Sequence, residues 1–265
     1  MRLEALVFDA LYLPGSYWLV AIKNMGLHWS ELRNELGDLW ECFLGLVYPR
    51  LCLACEEPLV RGEDILCIGC RIDLPYTDYH LMLPNESPLA RRFWGKIRLQ
   101  YALSYLVFVR HGRVQHLMHQ LKYRGIGGVG TMLGVLYGRE LKEAGFAEAF
   151  DLIVPVPLHP EKLAKRGFNQ AALFAEGLSQ GLGVDWSEEA IVRGFATDTQ
   201  TKKNRLERWR NVESVFVVGK AGLFVGKKIV VVDDVLTTGA TLEVCCAVLL
   251  ENGAAEVSIA TIACA

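Results

Sequence analysis

Two adjacent acidic residues, Asp233 and Asp234, stand between an apolar run and a loop rich in hydroxyl groups. The four β-branched residues before them predict a buried strand. The loop after them, Thr237-Thr238-Gly239-Ala240-Thr241, opens a predicted helix whose first N–H groups and dipole favour an anion. Its hydroxyls add donors, and Gly239 lets the backbone approach a ligand closely. The pattern predicts a phosphate cradle beside two carboxylates that suit the vicinal hydroxyls of a ribose.

This run resembles the phosphoribosyl-pyrophosphate (PRPP) loop of type I phosphoribosyltransferases. The likeness lies in the order of an apolar strand, two acids and T-T-G-x-T in one register. A buried strand with a solvated acidic turn is the structural alternative. Two other phosphate-binding motifs are excluded, because the chain has no G-x-x-x-x-G-K-[ST] and no G-x-G-x-x-G after a strand.

A proline-rich segment predicts a second part of the same site. Pro155-Val156-Pro157-Leu158-His159-Pro160 follows a predicted strand, and its three prolines prevent it from continuing as a regular strand. We expect a rigid loop, followed by a basic stretch that ends at Arg166, that can hold a diphosphate. Pro157, Leu158 and Lys162 are the predicted ligand contacts. A proline-capped helix start with a solvated basic face is the alternative.

The segment Lys202–Arg210 is strongly basic, with five basic side chains against one acidic side chain and a net charge of +4. Because it holds few apolar residues it cannot bury itself, which predicts a mobile loop or a surface helix. Three interpretations stay open: a loop that closes over a diphosphate, a patch that faces nucleic acid, and a solvated face. In the first, Arg205 and Arg208 cover the leaving diphosphate.

Four cysteines form two C-x2-C pairs separated by eleven residues: Cys52, Cys55, Cys67 and Cys70. Two such pairs can place four thiolates around one tetrahedral Zn²⁺ and leave no open coordination position. The spacing therefore predicts a structural zinc ribbon. Disulfides are the alternative, but they are disfavoured in a cytoplasmic chain.

Predicted strands alternate with predicted helices in the second half of the chain. The strands lie near residues 102–110, 151–155, 229–232 and 256–263, and the helices near 114–122, 131–144, 167–182 and 242–252. This alternation predicts an α/β fold with a parallel sheet flanked by helices. Ligands bind beyond the carboxyl ends of parallel strands. The proline-rich loop and the acid pair are thus expected to face one cleft.

The composition is that of an ordinary globular protein. The chain has 265 residues, of which 52% are hydrophobic and 22% charged. Its net charge of −2 predicts no global attraction to nucleic acid or membrane, so any such binding needs a local patch. Its uncharged stretches are too short to span a bilayer, and its amino terminus makes a poor signal peptide. We expect a cytoplasmic protein without membrane insertion.

Taken in order, several motifs resemble those of ComF-family proteins, which are amidophosphoribosyltransferase-like proteins linked to natural competence. The motifs are the cysteine ribbon, Leu121-Lys122-Tyr123-Arg124-Gly125, the proline-rich loop, Arg166-Gly167-Phe168-Asn169-Gln170, a pattern of polar residues within Thr197–Asn211, and Asp233–Thr241. The resemblance runs from about Tyr48 to the carboxyl terminus and leaves residues 1–47 outside.

The resemblance implies a type I phosphoribosyltransferase fold with an N-terminal zinc-ribbon hood, and a role in handling incoming single-stranded DNA during transformation. It predicts three regions: an extension of unknown role over residues 1–47, the zinc ribbon over 48–80, and a phosphoribosyltransferase-like domain over 81–265. The expected ligands are structural Zn²⁺ and PRPP with Mg²⁺. Single-stranded DNA and the DNA-uptake machinery are the expected partners.

Two functions stay open. In the first, the protein is a phosphoribosyltransferase: Asp233 and Asp234 stabilise positive charge on the ribose as pyrophosphate departs, and Arg205 and Arg208 cover the leaving group. No residue stands out as a general base, so the acceptor is undefined.

In the second, the protein binds without catalysis. The cradle holds PRPP, a nucleotide or a phosphoribosyl end of DNA, and basic residues that include Lys122 and Arg124 contact phosphates. Tyr123 between them offers a ring for base stacking.

Overall fold

A parallel sheet organises the computed structural model, which describes residues 49–84, 86–194 and 216–265. The strands in these ranges are β1 (Ala102–Val107), β2 (Leu152–Pro155), β3 (Ile191–Arg193), β4 (Phe216–Val218), β5 (Lys228–Leu236) and β6 (Glu256–Cys264). The sheet has the order β1-β6-β5-β2 with every pairing parallel, whereas β3 and β4 form a separate antiparallel pair. The predicted parallel α/β architecture is confirmed.

Helices connect the strands and cover the sheet. In the described ranges they are α1 (Ile68–Asp73), α2 (Pro88–Arg91), α3 (Arg113–Tyr123), α4 (Gly128–Glu143), α5 (Pro160–Arg166), α6 (Gln170–Leu182) and α7 (Ala240–Glu251). Short 3-10 turns lie at Tyr79–Leu81, Phe146–Glu148 and Ala221–Leu223. Within the part of the chain that the structure describes, none of these helices combines the length and apolar character that a membrane crossing needs.

The central strand β5 is longer than the sequence predicted. Its pairing with β2 ends at Val232, but its pairing with β6 continues to Leu236. The acid pair therefore lies inside β5 rather than after it, in a stretch that is bonded to a strand on one side only. This arrangement leaves the other side of the acids open, where the chain turns away from the end of β2.

Both faces of the sheet are buried, which explains the uninterrupted apolar run in β5. Val230 and Val232 point into one hydrophobic cluster beneath α3, α4 and α6, whereas Ile229 and Val231 point into another beneath α7. Side chains alternate between the faces of a strand, so four consecutive apolar residues supply both clusters. The structure forms three layers, helices on each side of the sheet.

The predicted helix over 167–182 is present as α6, and a separate short helix, α5, precedes it. Asn169 starts α6, because its Oδ1 accepts a hydrogen bond from the Ala171 N–H at 3.1 Å. Before it, α5 begins at Pro160 and ends at Gly167, which has the left-handed φ of 83° that a glycine adopts without strain. A turn of chain thus separates the basic helix α5 from α6.

The described residues between Leu51 and Ala265 form one compact unit, and the ribbon cysteines Cys52 and Cys70 belong to the same hydrophobic cluster as the α/β core. The boundaries proposed at residues 47 and 80 stay a prediction. The extension over 1–47 and the basic segment over Lys202–Arg210 lie outside the described residues.

Glycines let α4 and α6 pack closely against each other. A Cβ at Gly177 would lie 2.1 Å from the Thr131 carbonyl oxygen, and one at Gly134 would lie 2.5 Å from the Phe174 carbonyl oxygen. Contacts this short do not occur between real atoms, so the two backbones can approach this closely only with glycine at these positions.

We expect Gly177→Ala to destabilise the protein by about 1–3 kcal/mol, because the new methyl group forces two packed backbones apart. This cost exceeds the gain of up to about 1 kcal/mol that alanine brings in a helix. Urea denaturation measures the change. The control is Gly222→Ala, whose Cβ would meet nothing within 4 Å. Equal stability of the Gly177 variant and the wild type would contradict the close approach.

Candidate functional site

A cleft of about 210 Å³ lies beyond the carboxyl ends of β2 and β5. Its lining residues are Lys122, Val156, Pro157, Leu158, Lys162, Arg166, Asn169, Gln170, Ala171, Arg193, Asp233, Asp234 and Thr241. Four cations and two acids therefore share one small volume. The cleft occupies the position at which open parallel sheets bind their ligands.

The acid pair is held by a lysine from α3. Lys122 Nζ lies 2.9 Å from Asp234 Oδ2, with 23% of the lysine side chain and 15% of the aspartate side chain exposed. Each acid also receives a backbone bond from its successor: the Asp234 N–H donates to Asp233 Oδ1 at 2.8 Å, and the Val235 N–H donates to Asp234 Oδ1. These bonds engage Oδ1 of each carboxylate, and both aspartates line the cleft.

The pKa of Asp233 is raised from 3.8 to about 7, mainly by burial and next by the negative charge of Asp234. The backbone N–H of Asp234 and the charges of Lys122 and Lys162 oppose this rise. Near neutral pH both the protonated and the ionised form of the Asp233 carboxyl are therefore populated. Such a group can either donate a hydrogen bond to a hydroxyl or accept one.

The proline-rich loop is fastened at both ends. The Val156 N–H donates to the Val232 carbonyl at 2.9 Å, next to the acid pair, and the Val156 carbonyl accepts from Asn169 Nδ2 at 3.0 Å. Three predicted contacts, Pro157, Leu158 and Lys162, line the cleft. The structure therefore brings this loop and the acid pair together, as the sequence predicted.

Two arginines of the cleft were not among the predicted site residues. Arg166, at the end of α5, donates to Gln170 Oε1 at 2.8 Å, and its guanidinium lies 5.8 Å from the ring centroid of Tyr123. Its place in a basic stretch was a signal for it. Arg193, at the end of β3, stacks 5.2 Å from the ring centroid of Phe216. Nothing in the local sequence marks Arg193, because only the fold carries it to the cleft.

The hydroxyl-rich loop reaches the cleft in part. Thr241 lines it, whereas Thr237, Thr238, Gly239 and Ala240 do not. Gly239 has a φ of 82°, and a Cβ there would lie 2.7 Å from the Phe93 ring, so both backbone conformation and packing require glycine.

A neighbouring arginine supports this loop from outside the cleft. Arg92 Nη1 donates to the Thr237 carbonyl at 3.1 Å, and Arg92 Nη2 donates to the Ala265 carbonyl. Thr238 Oγ1 accepts weakly, at 3.5 Å, from the Ala240 N–H at the start of α7. The loop is thus held between the helix start and the α2 region. Predicted site residues Arg205 and Arg208 lie outside the described residues.

The four ribbon cysteines converge, since their sulfur atoms all lie within 4.8 Å of one another. Cys55 Sγ and Cys67 Sγ are 3.7 Å apart. Zinc–sulfur bonds of about 2.3 Å place tetrahedral sulfurs about 3.8 Å apart, so the cluster fits one such ion. Among the described residues this is the one group of three or more potential ligands that could hold a metal.

Backbone hydrogen bonds to sulfur favour the thiolate form of Cys52. The Cys67 N–H donates to Cys52 Sγ and the Cys70 N–H to Cys67 Sγ, each at 3.3 Å. Burial raises the pKa of Cys52, but backbone hydrogen bonds outweigh it and bring the pKa down to about 7. Burial raises the pKa of Cys70, which a bound cation would reverse.

The ribbon also contacts α3, the helix that supplies Lys122. Arg113 Nη1 lies 3.1 Å from Asp73 Oδ2 of the α1 helix, and His116 Nε2 lies 3.4 Å from Glu56 Oε1. Both pairs are exposed and contribute little stability by themselves. They show that the cysteine cluster and the lysine of the cleft are attached to the same helix.

Comparison with known proteins agrees with this architecture. The family model described as "Phosphoribosyl transferase domain" matches residues 169–264, which include α6, β5, the hydroxyl-rich loop and β6. The DNA utilization protein YhgH of Escherichia coli is 33% identical over 234 residues, which is 81% of this chain and 96% of that protein. Competence protein F of Haemophilus influenzae is 25% identical over 215 residues, 78% of this chain and 94% of that protein.

The domain match and the sheet topology define a protein with a type I phosphoribosyltransferase fold. The chain belongs to the ComF family, together with the YhgH and competence protein F relatives that it matches over most of their length. The match to a solved glutamine PRPP amidotransferase from B. subtilis covers 50% of this chain and 26% of that chain, at 22% identity and a TM-score of 0.37. The assignment does not depend on that structure.

We expect Lys122→Ala to raise the pKa of Asp233 above its wild-type value of about 7, because the substitution removes one of the two lysines that lower it. Titration of the carboxyl carbons by ¹³C nuclear magnetic resonance measures the shift. Lys228→Ala, at the other end of the same strand, is the control and should leave the pKa unchanged. A wild-type pKa near the ordinary 3.8 would show that the acid is better solvated than the cleft implies.

Purified protein should contain about one zinc per chain, and Cys67→Ala should abolish it, because three thiolates bind the ion too weakly. The variant should also melt at a lower temperature, since a ribbon without its metal loses its fold. Atomic absorption and calorimetry measure the two effects. Cys264→Ala, a buried thiol outside the cluster, is the control and should keep the zinc. A wild type that contains no metal, and that melts at the same temperature as Cys67→Ala, would refute the site.

Proposed function

We propose that the cleft binds PRPP and that the protein is a phosphoribosyltransferase of the ComF family. The observation that carries this proposal is the meeting of Asp233 and Asp234 with four cations in one cleft at the ends of β2 and β5. A ribose diol needs acceptors beside it, and a diphosphate needs cations. The cleft offers both within a single small volume.

The charges of the cleft suit a polyphosphate ligand. Lys162, Arg166 and Arg193 are distributed around it, and arginine binds phosphate oxygens in a bidentate manner. The 5-phosphate would lie at the Thr237–Thr241 loop, of which Thr241 lines the cleft. The diphosphate would lie toward the proline-rich loop. We further propose that Arg205 and Arg208, from the basic segment outside the described residues, cover the leaving diphosphate.

The donor set also fits Mg²⁺. This ion binds to one or two carboxylates together with substrate phosphates, and Asp233 and Asp234 are two adjacent carboxylates in such a place. Bound there, the ion would neutralise charge on the diphosphate. Lys122 now neutralises Asp234, so ligand binding requires that this lysine share or release the carboxylate.

The reaction that this arrangement supports is substitution at C1 of the ribose. The bond between C1 and the pyrophosphate oxygen breaks, and pyrophosphate leaves with the electron pair. The ribose then carries positive charge, which the two carboxylates stabilise. A nucleophile from the acceptor forms the new bond to C1. The cations hold the departing pyrophosphate, and the acceptor remains to be found by screening.

We place this activity in the handling of DNA. Relatives that match most of this chain carry the names "DNA utilization protein" and "Competence protein F", and these names support a role in DNA uptake. The composition, without any apolar stretch of membrane-spanning length, favours a cytoplasmic location. Single-stranded DNA and the uptake machinery are the proposed partners.

Isothermal calorimetry should detect binding of PRPP in the presence of Mg²⁺, and Asp234→Asn should weaken it about tenfold or more, because a buried charged acceptor is lost. Glu256→Gln, an exposed carboxylate at the amino end of β6, is the matched control and should bind as the wild type does. Pyrophosphate release across a panel of bases and amines then identifies the acceptor.

Absence of PRPP binding in the wild type, or equal binding by Asp234→Asn, would overturn the assignment of the cleft. Binding without turnover on any acceptor would favour a non-catalytic module.

A further inference from the structure

Residues 91–100 make a basic and aromatic surface that the proposed PRPP site does not use. We call it the Trp94 surface and define it by Arg91, Trp94, Lys96, Arg98 and Gln100. A concavity of about 480 Å³ lies along this segment, lined by Ala90 and by residues 93–100. It is separate from the cleft, with which it shares no lining residue.

An aromatic ring stands in the open at its centre. Trp94 is 61% exposed, which is unusual for so large an apolar side chain. The guanidinium of Arg91 lies 6.0 Å from the ring centroid. Phe93 beside it is buried against Gly239, so the backbone that carries Trp94 is anchored. Exposure of the indole is therefore a property of a fixed segment.

The polar side chains beyond Trp94 share one face. Ile97 and Leu99 pack against the hydrophobic cluster beneath α7, whereas Lys96, Arg98 and Gln100 are exposed. The chain turns at Lys96, where the N–H groups of Lys96 and Ile97 both donate to the Phe93 carbonyl, and exposed and half-buried side chains alternate after it. The three polar side chains therefore lie on the solvent side of the segment.

The surface carries a local charge that the whole chain lacks. Residues 91–100 contain four basic side chains and no acidic one, against a net charge of −2 for the protein. Lys96 Nζ lies 3.7 Å from Glu243 Oε2, but the lysine side chain is 47% exposed, so this pair is weak and a phosphate can compete for the lysine. The surface thus attracts polyanions although the protein as a whole does not.

We propose that the Trp94 surface binds single-stranded nucleic acid, with a base stacked on the Trp94 indole and phosphates on Arg91, Lys96 and Arg98. An exposed aromatic ring among cations is how proteins hold single-stranded nucleic acid without reading its sequence. Arg92, from the same segment, bonds the Thr237 carbonyl, so a strand here would pass beside the hydroxyl-rich loop. The inference rests on the DNA-handling part of the proposed function and not on PRPP binding.

Fluorescence anisotropy with a labelled oligothymidylate tests the surface in the full-length protein. Trp94→Ala should weaken binding about tenfold, since stacking of one base is lost, and Trp94→Phe should restore most of it. Arg98→Ala should weaken binding and reduce the slope of log affinity against log salt by about one. Arg139→Ala removes an exposed arginine from α4, on the other face of the sheet, and should leave affinity and slope unchanged.

Three results would overturn the proposal: a wild type that binds no strand at low salt, equal binding by Trp94→Ala and the wild type, or loss of binding only in Lys122→Ala and Arg124→Ala. The last result would place the strand near the cleft instead. Binding of the Trp94 surface to anionic phospholipid vesicles, with strand binding unaffected by Trp94→Ala, would assign the surface to a membrane and would also overturn it.

PRPP calorimetry on the same variants separates this inference from the proposed function. Trp94→Ala should bind PRPP as the wild type does, because Trp94 does not line the cleft. If the wild type binds the oligothymidylate but not PRPP, the proposed PRPP site fails and the Trp94 surface stands. An equal loss of oligothymidylate and PRPP binding in Trp94→Ala would show that the substitution acts through the hydroxyl-rich loop. That result would overturn the proposal that the Trp94 surface binds the oligonucleotide.

Discussion

The rest of the structure depends on strand β5, which has to be apolar where it is buried and acidic where it reaches the cleft. The first half of β5 is buried on both faces, while its second half carries two acids to a cleft. Pairing with β6 continues past the point where β2 stops, so the backbone of the acids stays bonded on one side and is free of a neighbour on the other. The cleft exists because the two neighbouring strands differ in length.

Two carboxylates side by side are costly in such a place, and the surrounding cations reduce the cost. Burial and the charge of Asp234 disfavour ionisation of Asp233, whereas Lys122 and Lys162 favour it. As a result, the pKa of Asp233 lies near neutral pH before any ligand binds. A ligand with a diol at one end and phosphates at the other can replace some of these interactions, because its hydroxyls bond to the acids and its phosphates bond to the cations. The same groups therefore serve both stability and binding.

The cleft is assembled from distant parts of the chain, each held by its own local device. Asn169 fixes the proline-rich loop to the start of α6, and Gly239 fits the hydroxyl-rich loop against Phe93. Lys122 comes from α3, a helix that also contacts the cysteine cluster through Arg113. A metal at the cysteines would therefore stabilise the segment next to the helix that positions this lysine, although it lies outside the cleft itself.

The sequence by itself determined the elements whose signals are local. Apolar runs bounded by turns predicted the parallel strands, the T-T-G-x-T motif predicted a loop that opens a helix, and cysteine spacing predicted a cluster that the structure brings together. Each signal depends on backbone propensity or on ligand spacing within a short stretch, and such properties do not need the rest of the fold. The family resemblance extended them to a fold class, which the domain match confirmed.

Tertiary structure alone decided which side chains meet. Arg193 reaches the cleft because β3 ends there, and Lys122 pairs with an acid more than a hundred residues away in sequence. The length of β5 depended on its pairing with β6, which no local pattern encodes. The exposure of Trp94 likewise follows from what the neighbouring Phe93 is packed against. Distances between remote residues, and the burial that shifts the pKa of Asp233, arise only when the chain is folded.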